Sequence, residues 1–231
     1  MEDAYVFTRQ KTLVDKLKKE QSSVDKLEKG KSEFIKRTPL PYLADISGLR
    51  ELKTDNGTNM SSMFDNSNNQ SLTNVDALSN WNTSNVTNMS RMFTNCSVLA
   101  NIDSLANWDT SKVTDMSWMF GNDDGGAMEI SDLTPIEKWN VGNVIDMSYM
   151  FSNCKIDNLN PIDNWDVGSV TSMQSMFCNC TNLTNASGIN NWNITKVTNF
   201  DRMFYLCPTY PEFTKVTGTW DESGTFTPTT K

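Results

Sequence analysis

The residues in this chain that could do chemistry fall into columns, each type returning at a near-constant interval. Four of the five cysteines, Cys96, Cys154, Cys180 and Cys207, stand three residues after a Phe. Thiols in such a column can fill a small apolar core slot, pair as a Cys154–Cys180 disulfide between neighbouring units, or hold a metal through Cys178-Asn179-Cys180. The paired spacing of disulfide frameworks and zinc sites is missing, which favours the core filler. Eleven of the thirteen methionines form two further columns. Thioethers can ligate copper or haem, but a Met column beside a Phe column is what layers of one repeated core produce. Another column is Asn or Asp: Asn82, Asp109, Asn140, Asp166 and Asn193. Such residues can bind calcium or satisfy backbone groups at a chain corner, and the Gly-x-Asp nonapeptide pattern of calcium-binding repeats is absent. The sequence has no histidine, so His-dependent nucleophiles, His general bases and His-ligated zinc are excluded.

The columns imply a repeating frame. Trp81, Trp108, Trp139, Trp165 and Trp192, with Leu52 in first place, anchor six units. Valine stands five residues after the anchor except at Gly57, and Met stands eight after it except at Phe200. Met-Phe follows at eleven and twelve in every unit, from Met63-Phe64 to Met203-Phe204. Apolar residues also fall nine, six and three places before each anchor, as at Leu99, Ile102 and Leu105. The anchors are 29, 27, 31, 26 and 27 residues apart, and the variation sits between Met-Phe and the next apolar triplet, as in Gly121-Asn122-Asp123-Asp124-Gly125-Gly126. Length change confined to one place per period marks a stack of equivalent units with its loops along one edge.

Each unit divides into two halves. Upstream, the apolar period of three with Asn, Asp, Ser and Thr between predicts short strands meeting tight corners. Downstream, Val113, Met116, Met119 and Phe120 share one face at helical spacing and predict a helix of two to three turns, N-capped by Thr110 or Ser111, with Thr83/Ser84 and Thr195 in matching places.

Composition sets the outer limits. The body beyond residue 38 carries ten Lys/Arg against twenty-one Asp/Glu, which disfavours nucleic-acid phosphate. No stretch is apolar enough to span a bilayer. Residues 1–38 differ in having ten Lys/Arg against seven Asp/Glu and no repeat. There Leu13, Leu17, Val24, Leu27 and Phe34 form the stripe of an amphipathic helix, either a cap or connector for the first unit or a surface for self-association. Pro39 and Pro41 end it. Residues 39–207 hold the six units, and 208–231 form a C-terminal cap, read as a small hairpin. The opening Met1-Glu2-Asp3-Ala4 lacks the basic start and apolar run of a secretory signal, which leaves an intracellular protein or a piece of a longer one.

The motif Trp-Asp-Thr-Ser-Lys-Val-Thr-Asp-Met-Ser-Trp-Met-Phe at 108–120, with Met-Phe-x-x-Cys-x-x-Leu at 92–99 and 176–183, resembles the bacterial surface protein 26-residue repeat, the BspA-like group of leucine-rich-repeat proteins. The resemblance covers about residues 43–207. It implies an α/β solenoid, a right-handed coil with short parallel strands on one side and short helices on the other. It also implies a secreted or cell-surface protein that binds host or neighbouring-cell components without catalysis. A protein or glycan partner is expected, with no cofactor and no nucleic acid, and a structural spacer is the competing function. If the upstream half presents the binding face, the exposed candidates are Asp45, Asn74, Asp76, Asn101, Asp103, Asp132, Asn158, Asn160, Asn185 and Ser187, with Ser47 and Thr134 in the same row.

Overall fold

A computed structural model of the chain describes residues 46–65 and 71–229. The amphipathic stripe of residues 1–38, the prolines that follow it and Asp45 lie outside the described residues. Successive units lie side by side in the same direction: Asn59, Asn88, Asp115, Asp146, Ser172 and Asn199, each seven residues after its anchor, are joined in that order by parallel single-residue bridges.

The backbone donors of the downstream half explain how the units hold together. In the second unit, every second N–H crosses to the third: Met89 to Asp115 O at 2.9 Å, Arg91 to Ser117 O at 2.8 Å, Phe93 to Met119 O at 2.9 Å and Asn95 to Gly121 O at 3.0 Å. The N–H groups between them turn back within the unit, Met92 to Met89 O, Thr94 to Arg91 O and Cys96 to Phe93 O, at 3.2 to 3.3 Å. The stretch expected as a helix is therefore a run of tight turns. A helix returns each N–H to its own chain four residues back, whereas here half of them bond the neighbouring unit. The tenth residue after each anchor is also left-handed, at Ser62, Arg91, Trp118, Tyr149, Ser175 and Arg202, with φ between 51° and 60°. A left-handed residue in each unit cannot continue a right-handed helix.

The upstream half differs from expectation too. It holds a 3-10 turn in each unit, at Ser47–Leu49, Asp76–Leu78, Asp103–Leu105, Thr134–Ile136, Asn160–Ile162 and Ser187–Ile189. A 3-10 turn has three residues per turn, so an apolar period of three puts Ile102 and Leu105 on one side.

Between the halves lies one continuous core. Phe64, Phe93, Phe120, Phe151, Phe177 and Phe204 stack with ring centroids 5.1 to 5.8 Å apart. The anchor indoles are buried, and each donates its N–H to a carbonyl of the preceding unit: Trp81 to Leu49, Trp108 to Leu78, Trp139 to Leu105, Trp165 to Ile136 and Trp192 to Ile162, at 3.0 to 3.2 Å. Such a bond is required because a buried indole N–H without an acceptor is costly. In the first unit the anchor is Leu52, which has no indole donor.

The last unit meets an antiparallel hairpin, β1 (Gly218–Trp220) with β2 (Phe226–Pro228). Its turn supplies the acceptors that a further unit would have offered: Phe204 N–H donates to Gly224 O at 3.0 Å, and Arg202 N–H to Thr225 Oγ1 at 2.9 Å. Phe226 and Trp220 cover Phe200 and Phe204.

Candidate functional site

The upstream row is a surface feature, but its side chains are already employed. In each of five units an Asn or Asp carbonyl or carboxylate Oδ1 accepts the backbone N–H two residues on: Asn74 from Asp76, Asn101 from Asp103, Asp132 from Thr134, Asn158 from Asn160 and Asn185 from Ser187, at 2.6 to 3.0 Å. These turns open the 3-10 segments, so the residues earn their places structurally. Several of the remaining atoms are also linked. Asn74 and Asn101 donate to Asp76 and Asp103, Ser104 Oγ donates to Asp76, and Asn185 Nδ2 donates to Asn160 Oδ1. The Ser104 bond, then that from Asn74, holds the Asp76 carboxyl below its ordinary range. Asp132 and Asn158 share a shallow shelf of about 250 Å³ with Asp157 and Pro161.

The same device recurs at two other corners, each in five of the six units. Asn82, Asp109, Asn140, Asp166 and Asn193 accept the N–H two residues later at 3.0 to 3.4 Å, and so do Asn59, Asn88, Asp115, Asp146 and Asn199 at 2.8 to 3.0 Å. The expected N-caps are corrected accordingly. Thr83 and Thr110 are buried and donate to Asp109 O and Asn140 O of the following unit at 3.0 Å, while the Asx residue before each of them turns the corner.

One corner predicts an acid dependence. The Ser111 hydroxyl, then the Ser111 N–H, holds the Asp109 carboxyl below its ordinary 3.8. A depressed folded value means that this stabilisation is complete above 3.8 and is lost as pH falls below it. Asn serves equally well at this corner in Asn82, Asn140 and Asn193. Asp109→Asn is therefore expected to melt like the parent at neutral pH and to lose less stability under acid. Identical acid slopes for the two proteins would refute this role.

The thiol column is core. Cys96, Cys154, Cys180 and Cys207 are buried and free, and each S–H points at the carbonyl of a Phe in the preceding unit, at 3.0 to 3.4 Å. Burial pushes the Cys96, Cys154 and Cys180 thiols well above their ordinary range, which suppresses the reactive thiolate. Cys178 is half-buried. Iodoacetamide on the native protein should thus modify Cys178 alone, and slowly, with all five thiols reacting after denaturation. Mass spectrometry showing a Cys154–Cys180 disulfide, or rapid native labelling of those two, would contradict the packing. No cluster of metal-ligating side chains occurs among the described residues.

A second surface was not singled out by the sequence reading. At the left-handed tenth position, Trp118 and Tyr149 are half-exposed and stack in parallel with centroids 4.1 Å apart and planes 7° apart. The Arg91 guanidinium lies 5.0 Å from the centre of the Trp118 ring. Arg91 also faces Asp123 at 3.6 Å and Asp65 at 4.0 Å, and Asp123 belongs to the inserted loop of the third unit. Gly121 makes room: a Cβ there would come within 2.8 Å of the Trp118 ring and 2.5 Å of Tyr149 O. The signal available in the sequence was variation. Between constant Ser and Met-Phe in three units stand Arg91, Trp118 and Tyr149, a variable position in an otherwise fixed phrase.

Parallel units with shared core columns and equivalent Asx corners define a repeat protein. The chain belongs to the family described as Mycoplasma protein of unknown function, DUF285, whose model matches residues 41–128 and again 126–227. The first match holds units one to three, and the second holds units four to six with the hairpin. Neither a curated protein nor a solved structure gives a match.

Proposed function

We propose that the chain is a non-catalytic binding module, a BspA-like, leucine-rich-repeat-like solenoid displayed on a bacterial surface, which holds a protein or glycan along an extended repeat face. The unit-to-unit parallel bonding and shared core columns support the solenoid reading. In this reading residues 39–207 form the coil, 208–231 its C-terminal cap and 1–38 an N-terminal cap or connector.

The observation that carries binding is the row of Arg91, Trp118 and Tyr149. A large side chain at a left-handed position costs about 1–2 kcal/mol that Gly or Asn would largely avoid. Residues held at such a cost, partly exposed, and of the types that dominate contact energies point to a partner. A spacer needs no such row. The upstream row, with its Oδ1 atoms committed to turns, serves as a polar rim. The test immobilises the full chain and measures capture of purified extracellular-matrix proteins and mucin glycans. Trp118→Asn should abolish capture without lowering the melting temperature, and Asp103→Ala with Asp132→Ala should weaken it little. Absence of any capture that depends on Trp118 or on the Asp row would favour the spacer.

A further inference from the structure

We propose that the partner held along this edge is a basic, extended polypeptide segment, an inference that rests on reading the row as a contact surface. Unit order puts Arg91 on one face of Trp118 and Tyr149 on the other, so neither indole face is open for a sugar ring. The row presents ring edges and donors outward. Six of the seven tryptophans donate their indole N–H to a backbone carbonyl, and Trp118 alone has no acceptor among the described residues. A half-exposed donor of that kind suits the carbonyl oxygen of an incoming backbone.

Charge selects the partner further. Asp123 lies 3.6 Å from the Arg91 guanidinium, Asp65 lies 4.0 Å from it, and Asp124 adds a carboxylate in the inserted loop. Desolvation first, then the charges of Asp123 and Asp65, pushes the Asp124 carboxyl up. The body beyond residue 38 has the same sign. Lysine or arginine side chains meet that negative charge, whereas phosphate and acidic glycans are repelled.

In the fifth unit the position is taken by buried Ser175, and exposed side chains return in the last unit, where Tyr205 and Tyr210 are each 37% exposed and Leu206 is 57% exposed. Leu206 is left-handed at φ 60° in a place where Asn95, Asn153 and Asn179 serve other units. Asparagine tolerates this backbone and leucine does not, so Leu206 is a second departure on the same edge. From Arg91 to Arg202 is four unit steps, about 19 Å at the spacing of parallel chains, which accommodates about six residues of extended peptide.

The test titrates the full chain with three fluorescent probes: a dodecapeptide of alternating Lys and Ser, its Glu–Ser counterpart, and a neutral mannose hexasaccharide. The Lys peptide alone should bind. Trp118→Asn should weaken it about tenfold or more, as expected for an interface hot spot. Asp123→Asn with Asp124→Asn should weaken it about fivefold while leaving melting unchanged. Equal binding of the Lys peptide to the parent and to both variants would overturn the proposal. Binding of the hexasaccharide that depends on Trp118, without binding of the Lys peptide, would keep the contact edge and overturn the partner class. If no probe shows dependence on Trp118 or the Asp pair, the edge itself falls.

Discussion

Trp139→Leu is expected to cost about 3–4 kcal/mol, part from the cavity left by the larger ring and part from leaving the buried Leu105 carbonyl without its indole donor. In a protein of this size that lowers the melting temperature by roughly 10 °C. Trp139 stacks on Trp108 at 6.4 Å with planes 2° apart and touches Phe120 at 6.3 Å, so the loss falls on the unit before it as well. Equal costs for Trp139→Leu and Trp139→Phe would show that ring volume is irrelevant; a Trp139→Phe protein as stable as the parent would show that the N–H is.

Gly224→Val should be the most damaging single change at the C-terminal end. Gly224 has φ +67°, and a Cβ there would lie 2.4 Å from the Phe204 carbonyl carbon and from Tyr205 N. Relief requires the hairpin turn to leave the last unit. That movement removes the acceptor of Phe204 N–H and uncovers Phe200 and Phe204, for a loss of about 3 kcal/mol or more. Hydrogen exchange reads it directly. The amides of Arg202 and Phe204 should lose protection in the variant while those of Met116 and Met147, deep in the stack, keep theirs. Uniform loss across all units would mean that the stack melts as a whole instead of opening from this end.

Particular residues show how far the sequence could be read. The Trp, Met, Phe and Cys columns are inside, as their recurrence required, because a side chain returned at the same phase in every layer must meet its own kind. The Asx column after the anchor holds its corner, as the alternation of polar and apolar residues implied. Val113, Met116, Met119 and Phe120 misled, since spacing of three and four is shared by helices and by consecutive tight turns. The choice between them depends on where each N–H finds its acceptor, and for Met116 and Phe120 that acceptor is in the next unit, thirty residues on. The upstream Asn and Asp residues were legible as exposed but not as occupied, because a turn bond to a backbone N–H leaves no mark on composition.

The one-dimensional pattern thus determined the unit, its length variation, the identity of the buried side chains and the absence of histidine chemistry. Only the folded chain decided the hand of the backbone at Trp118 and Tyr149, the partners of the Asx side chains, and the meeting of Arg91 with rings from later units. The reason is that burial is a property of each residue's phase within its own repeat. Hydrogen-bond direction and stacking are properties of pairs that lie about thirty residues apart and become neighbours only when the layers close on one another.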